Sequence, residues 1–356
     1  CAAAGHRRHP GRAMIRYTIR RLLWGILVLL CVTASVFVLT GPVLERGTTD
    51  AVARIYAGKA PTPQQIEDVK KLLGLDKPYY TQYWIMLRRI VAGPSAEEKA
   101  RLCPGSTPAE CSRLVGHLGR SFRKQRSVDD LIWERFPATL SLSIVAAFIW
   151  MALSIPIGVL SAVRTRSIFD RVTMVFVLVG QSLPVYYFGL LGLFFLAGKY
   201  HLFPLGQYVG FSVSDPWPWL DHLILPAATL ALQFAALYVR MVRGNMLTAL
   251  GEDYVRTARA KGASRRRVVT RHALRNALLP IVTMFGLDLG GLLGGAVLTE
   301  ATFGIQGLGQ LAVTSAGGQD IPLISGIVLF AAAVIVLANI LVDLLYAVVD
   351  PRIRLA

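Results

Sequence analysis

Between two long apolar runs the chain reads EDYVRTARAKGASRRRVVTRHALRNALLP, from Glu252 to Pro280. Arg256, Arg259, Lys261 and Arg265 to Arg267 surround a cluster of small residues, Thr257, Ala258, Ala260, Gly262 and Ala263, that begins just after Tyr254. The chemistry such a segment supports is recognition. Small residues let a short helix approach another protein closely, and guanidinium groups pair with carboxylates through charge-assisted hydrogen bonds. An amphipathic helix held by lipid at the membrane surface is the other reading of the same composition.

Bond-making chemistry has no comparable candidate. A phosphate-binding G-x-x-x-x-G-K-[ST] loop is missing, since Gly198, Lys199 and Tyr200 lack both the upstream glycine and the hydroxyl. No H-E-x-x-H helix or G-x-S-x-G elbow occurs either, so no catalytic residue and no cofactor of its own are expected. Cys103 and Cys111 are poorly spaced for zinc, and no metal site is expected. In an oxidising compartment the same pair would be free to close a small disulfide loop, although sequence does not fix the separation of their Cβ atoms. Cys31 reads as a small buried apolar residue.

A few polar groups interrupt the apolar runs. Charges inside a membrane are costly and face protein or water. Asp288, Gln181 with Ser182, and Gln233 are therefore candidates for a translocation path, and bonds to neighbouring helices are the plainer alternative. Around Asp288 lie Gly286, Gly290 and Gly294 at intervals of four, with Gly291 and Gly295 beside them, a spacing that flattens one helix face for close packing. Pro156, Pro184 and Pro226 fall within or at the edge of apolar runs, where each can place a kink.

These residues must be carried by a membrane protein. A chain of 356 residues with 54% hydrophobic and 17% charged residues is too apolar for a soluble domain of that length. Spanning roughly 30 Å of hydrocarbon takes about 20 apolar helical residues. Runs near Leu22 to Thr40, Leu140 to Val163, Val172 to Ala197, Leu223 to Val242, Ala277 to Leu298 and Ile321 to Val349 meet that length, which predicts an all-α protein with six crossings. The formal charge of +17 lies mainly on one side of them: Arg7 to Arg21 before the first run, Arg164 to Arg171 after the second, the 252–280 loop, and Arg352 and Arg354 at the end. This positive-inside asymmetry places both termini in the cytoplasm and argues against nucleic acid as the partner, with lipid headgroups taking some of the charge.

Roughly ninety polar residues, 45–135, separate the first two crossings and form an extracytoplasmic region. Thr62, Pro63 and Gln65 signal a helix start there, running to Leu73 and stopping at Gly74. The region either contacts a delivery protein or only covers the bundle. Its Tyr79, Tyr80, Tyr83 and Trp84 read equally as anchors at the membrane interface.

The 252–280 loop resembles the cytoplasmic EAA loop of ATP-binding-cassette importer permeases, in the form found in dipeptide and oligopeptide permeases. Arg256, Thr257 and Ala258 stand at the Glu-Ala-Ala positions, Gly262 at the glycine, and Leu279 with Pro280 at the Leu-Pro. Further wording resembles the same family in order along the chain: GLDKPYYTQYWIML, LGRSF, FPATLSLSI, IPIGVLSA, RSIFDR, GQSLP, LPAATLAL, LGGLLGGAVLTEATFGIQGLGQL and NILVDLLYAVVDPRIR. Departures are Gly41-Pro42-Val43, an insertion from Pro94 to Cys111, and Ile305-Gln306-Gly307, where relatives usually carry Pro-Gly and a differently built turn is expected.

The resemblance implies an ABC transmembrane type-1 fold at 136–349, a first helix with its cytoplasmic lead at 14–44, an upstream extension at 1–13 and a cytoplasmic tail at 350–356. It implies a prokaryotic plasma-membrane subunit that pairs with a second homologous permease, two cytoplasmic ATPase subunits or domains holding ATP and Mg, and an extracytoplasmic substrate-binding protein. Residues Tyr254 to Ala263 would be the ATPase-coupling loop. Dipeptides, longer peptides, glutathione, haem and nickel complexes are all carried by such systems, and no residue separates them. A self-sufficient secondary transporter or channel is the rival, with Asp288 as its single candidate coupling charge and no inverted repeat to support it.

Overall fold

The computed structural model describes residues 10–40, 62–64, 66–67, 77–95, 116–121 and 123–349, with side chains at 18–39 in the first stretch and to 342 in the last. Cys103, Cys111, most of the helix expected from Pro63 to Leu73, and Asp350, Arg352 and Arg354 lie outside the described residues. All named elements are helices.

Among the described residues, four helices are long and apolar enough to cross a membrane unaided. They are α1 (Pro10–Thr40), α3 (Val128–Val163), α6 (Trp217–Gly251) and α13 (Ile321–Val349). The short α2 (Tyr79–Ala92) lies between the first two. Two further crossings are bent pairs. One joins α4 (Ile168–Ser182) to α5 (Val185–Gly192), which continues as a π-helical turn to Lys199, with a bend of 99°. The other joins the helical run Arg265–Ala277 to α10 (Leu279–Leu293) with a bend of 49°. That run consists of α8 (Arg265–Arg267), a π segment (Val268–Ala273) and α9 (Leu274–Ala277). With each bent pair taken as one crossing, the described residues form six, corresponding to the six apolar runs.

The third run is not the single helix expected over Val172 to Ala197. Its chain goes extended at Leu183 and Pro184, with ψ of 135° and 144°, before α5 resumes. Proline lacks the N–H that would continue the ladder and pushes the residue before it out of helical conformation. The fifth run also ends early, at Leu293. Gly295 then adopts φ +128° where its backbone meets that of Gly309, at a distance a side chain would not fit.

The core lies where α3 and α6 pack along most of their length. Gly158 permits that approach, because a Cβ there would meet Val242 Cβ at 2.7 Å. Trp150 and Tyr238 are the largest fully buried side chains, and between α3, α6 and α10 the Trp150 ring stacks on Phe234, meets Phe285 edge-on and packs against Tyr238. Such clusters add about 0.5–1.5 kcal/mol per ring pair beyond the area they bury.

The two ends of the bundle are built from different connections. At one end α3 finishes at Val163, and its carbonyl accepts from Arg265 Nη2 at 3.2 Å, so the 252–280 loop and the turn after α3 share that end. At the other end Ser121 donates to Asp320, which also accepts from the Arg123 N–H, and Gly326 of α13 lies against Val128 and Leu118. Here α11 (Val297–Phe303) and α12 (Leu308–Gly317) are joined by the turn holding Ile305, Gln306 and Gly307. Gly304 turns the chain at φ +64°, Ile305 is fully buried, and Gly307 is pressed against Glu300 and Thr139.

Candidate coupling surface and transport path

The loop after α6 builds a short, well-terminated helix. Glu252 swings extended (ψ 150°), and α7 (Asp253–Ala260) follows. Asp253 in the first turn complements the helix dipole, and Thr257 Oγ1 donates back to the Asp253 carbonyl at 3.0 Å. At the far end Gly262 takes φ +81°, donating its N–H to Arg259 O at 2.9 Å, while Ala263 N–H reaches Ala258 O at 3.1 Å. Those two bonds form a Schellman termination, which needs the left-handed residue that glycine supplies at lowest cost. Ser264 then restarts the chain as α8.

Only Val255 of α7 is buried, pinning the helix to the bundle by one side chain. Arg265 at Val163 and Asn245 Nδ2, donating to Ala277 O at 3.2 Å, tie the flanking segments to α3 and α6. Tyr254, Arg256, Thr257, Arg259, Ala260, Lys261 and Gly262 are exposed, with Ala258 and Ala263 half-buried. Arg256 approaches Asp253 at 3.6 Å, with side chains 75% and 95% exposed, a pair in water worth little and easily exchanged. A Cβ placed on Gly262 would meet nothing within 4 Å, so the space beside it is open.

Above this helix lies a network absent from the sequence reading. Arg243 of α6 grips Asp170 of α4 with Nε to Oδ1 at 2.6 Å and Nη2 to Oδ2 at 2.9 Å. Ser161 of α3 also donates to Asp170, and so does the Arg166 N–H, at 3.0 Å. One buried carboxylate thus joins α3, the turn after it, α4 and α6. Both charges sit at the ends of apolar runs, which was the available signal, but their separation along the chain hid the pairing.

The path candidates are not assembled into one site. Asp288 accepts from Tyr238 Oη at 2.7 Å, beneath the Trp150 cluster. Gln181, Ser182 and Gln233 are exposed on α4 and α6, and Ser182 bonds its own helix at Leu178 O. Gly286, Gly290 and Gly294 face α13, where added Cβ atoms would meet Val342, Ala338 and Ala331 at 3.0 Å or less. Gly291 points into open space, and Gly295 serves the turn described above.

Residues 154–355 match the family described as binding-protein-dependent transport system inner membrane component, and residues 14–143 match its N-terminal counterpart. The chain belongs to this family. It is 35% identical over 363 residues to the dipeptide transport system permease protein DppB of Escherichia coli (strain K12), covering 96% of this chain and 99% of that one. The oligopeptide transport system permease protein AppB of Bacillus subtilis (strain 168) is 36% identical over 346 residues, covering 96% and 100%. A solved structure of the MetNI methionine ABC transporter in inward-facing conformations aligns with a TM-score of 0.51 at 20% identity, over 62% of this chain and 96% of that chain. This last likeness concerns the fold.

A second buried carboxylate of this inner membrane component marks the opposite end from α7. Glu300 accepts from Thr139 Oγ1 at 2.8 Å, from Gln310 N–H at 3.0 Å and from Ala296 N–H at 3.3 Å. Burial pushes its carboxyl above the usual range, and these donors pull it part of the way back. Thr139 completes the node by accepting the Leu308 N–H at 2.8 Å.

Proposed function

We propose that this chain is the permease subunit of an ATP-driven peptide importer and that α7 is the part an external motor pushes. In this reading it forms the translocation pathway with a second homologous permease. Two cytoplasmic ATPase subunits or domains hold ATP and Mg, and an extracytoplasmic protein delivers the cargo. Both termini and α7 lie in the cytoplasm, and the 116–127 segment faces the other way. The relatives named for dipeptide and oligopeptide transport support a peptide cargo.

One observation carries the reading. A cationic helix with a fixed termination presents nearly every side chain to water while its flanks are bonded to α3 and α6. A helix exposed this fully gains little from its own fold, and a face of arginine, lysine and small residues suits a groove with acidic walls. Motion of α7 passes to α3 through Arg265 and Val163 and to α6 through Glu252. Asp288 belongs to the path in this reading, its carboxylate meeting a peptide amino terminus by exchanging the Tyr238 phenol.

Uptake of labelled dipeptide into liposomes tests the proposal. With both permeases, the ATPases and the delivery protein present, uptake depends on ATP; when the ATPases are withheld it stops. Uptake that persists without them overturns the reading.

A further inference from the structure

The helix α2 falls within the segment 45–135, which sequence places outside the membrane, yet its contacts lie below the end of a crossing. Tyr83 Oη meets Thr33 Oγ1 at 3.1 Å and Leu30 O at 3.4 Å, and its ring packs on Phe37 at 5.3 Å. Among the described residues the α1 crossing continues to Leu39, so at about 1.5 Å per residue Thr33 lies at least roughly 9 Å inside it. The other end of α2 gives a second depth. Ile90 O contacts His117 Nδ1 at 3.1 Å, and the adjoining Leu118 lies against Gly326, about 7 Å inside the α13 crossing that starts at Ile321.

Two contacts seven residues apart on this 14-residue helix, at Tyr83 and Ile90, sit at similar depth, which lays it along the membrane plane. Its outward stripe is Tyr80 (77% exposed), Trp84 (67%) and Val91 (81%), with Arg88 on the same side. At one hundred degrees per residue these positions fall within a quarter-turn of each other. Aromatic rings with a polar tip settle at the headgroup level, and an arginine there extends to phosphate while its stem covers apolar surface.

We infer that α2 is an interfacial helix whose Tyr80–Trp84–Val91 stripe is embedded in the lipid leaflet at the end of the bundle opposite α7. Its occupant is lipid, and the delivery protein docks elsewhere. The inference rests on the chain crossing the membrane and is independent of the role proposed for α7.

Tryptophan quenching tests it on the full chain in proteoliposomes. Trp84→Phe keeps an apolar ring, and the difference between its emission and that of the unaltered chain isolates Trp84 from the other tryptophans. Phosphatidylcholine brominated near the carbonyl end of its acyl chains is expected to remove most of the Trp84 emission, and aqueous iodide little of it. Quenching by iodide with no response to brominated lipid overturns the inference by placing the stripe in water. Shielding from both quenchers also overturns it, because protein then covers the stripe.

Discussion

Two residues at the α7 end of the bundle are needed for different reasons. Gly262 holds φ +81° in the Schellman termination while the space around it is open, so its conformation, not its size, is what this chain itself requires. A β-branched residue in that region costs about 1–2 kcal/mol locally, and its side chain would also fill the space that the proposed docking partner needs. Gly262→Val should therefore insert and fold with a melting temperature close to that of the unaltered chain, yet lose uptake. Normal uptake by this variant counts against α7 as the docking helix. Asp170 behaves differently, because its role is internal. Replacing it by asparagine leaves Arg243 partly buried without its carboxylate, a loss of about 3–5 kcal/mol when one member of a buried pair is removed. Thermal unfolding in detergent should show Asp170→Asn strongly destabilised, and Asp170→Asn with Arg243→Gln destabilised by less than the sum of the single variants.

At the scale of elements, the glycine-rich α10 separates into faces with opposite tolerance. Gly290 has Ala338 at 3.0 Å from an added Cβ, and Gly286 has Val342 closer still, so the backbones of α10 and α13 approach one another directly. Overpacking a fitted interior costs typically 1–3 kcal/mol. Gly290→Val and Gly286→Val should lower the melting temperature, whereas Gly291→Ala, facing open space, should change it little or raise it through better helix propensity. Equal effects at the three positions would show that α10 does not seat on α13 as described. The broken third crossing has a legible cause in Pro184, but the sequence marked it only as a kink. Its consequence, a turn of 99°, depends on Leu183 and Pro184 both adopting extended conformations, which local pattern does not reveal.

For the molecule as a whole, hydropathy was enough to find six crossings, and the ordered wording from Phe136 onward was enough to suggest the family. Those signals are local or linear. The polar nodes are neither: Ser161, Asp170 and Arg243 meet only after α3, α4 and α6 have packed, and Thr139 meets Glu300 only when the turn at Ile305 folds back. Asp288 shows the same limit, since its partner Tyr238 lies on another crossing and no spacing rule connects the two. The 45–135 segment was the least readable, because its polar composition resembles that of any loop, and the Tyr83 contacts with Thr33, Leu30 and Phe37 are what show α2 packing along α1.

Of the α7 side chains only Val255 is fully buried, so the exposed Tyr254, Arg256, Arg259 and Ala260 are open to substitution, while Asp253, Thr257 and the half-buried Ala258 serve the helix itself. If α7 is the docking helix proposed above, changes at its exposed positions would alter which ATPase the chain accepts while the buried packing of α3, α6 and α10 stays as it is.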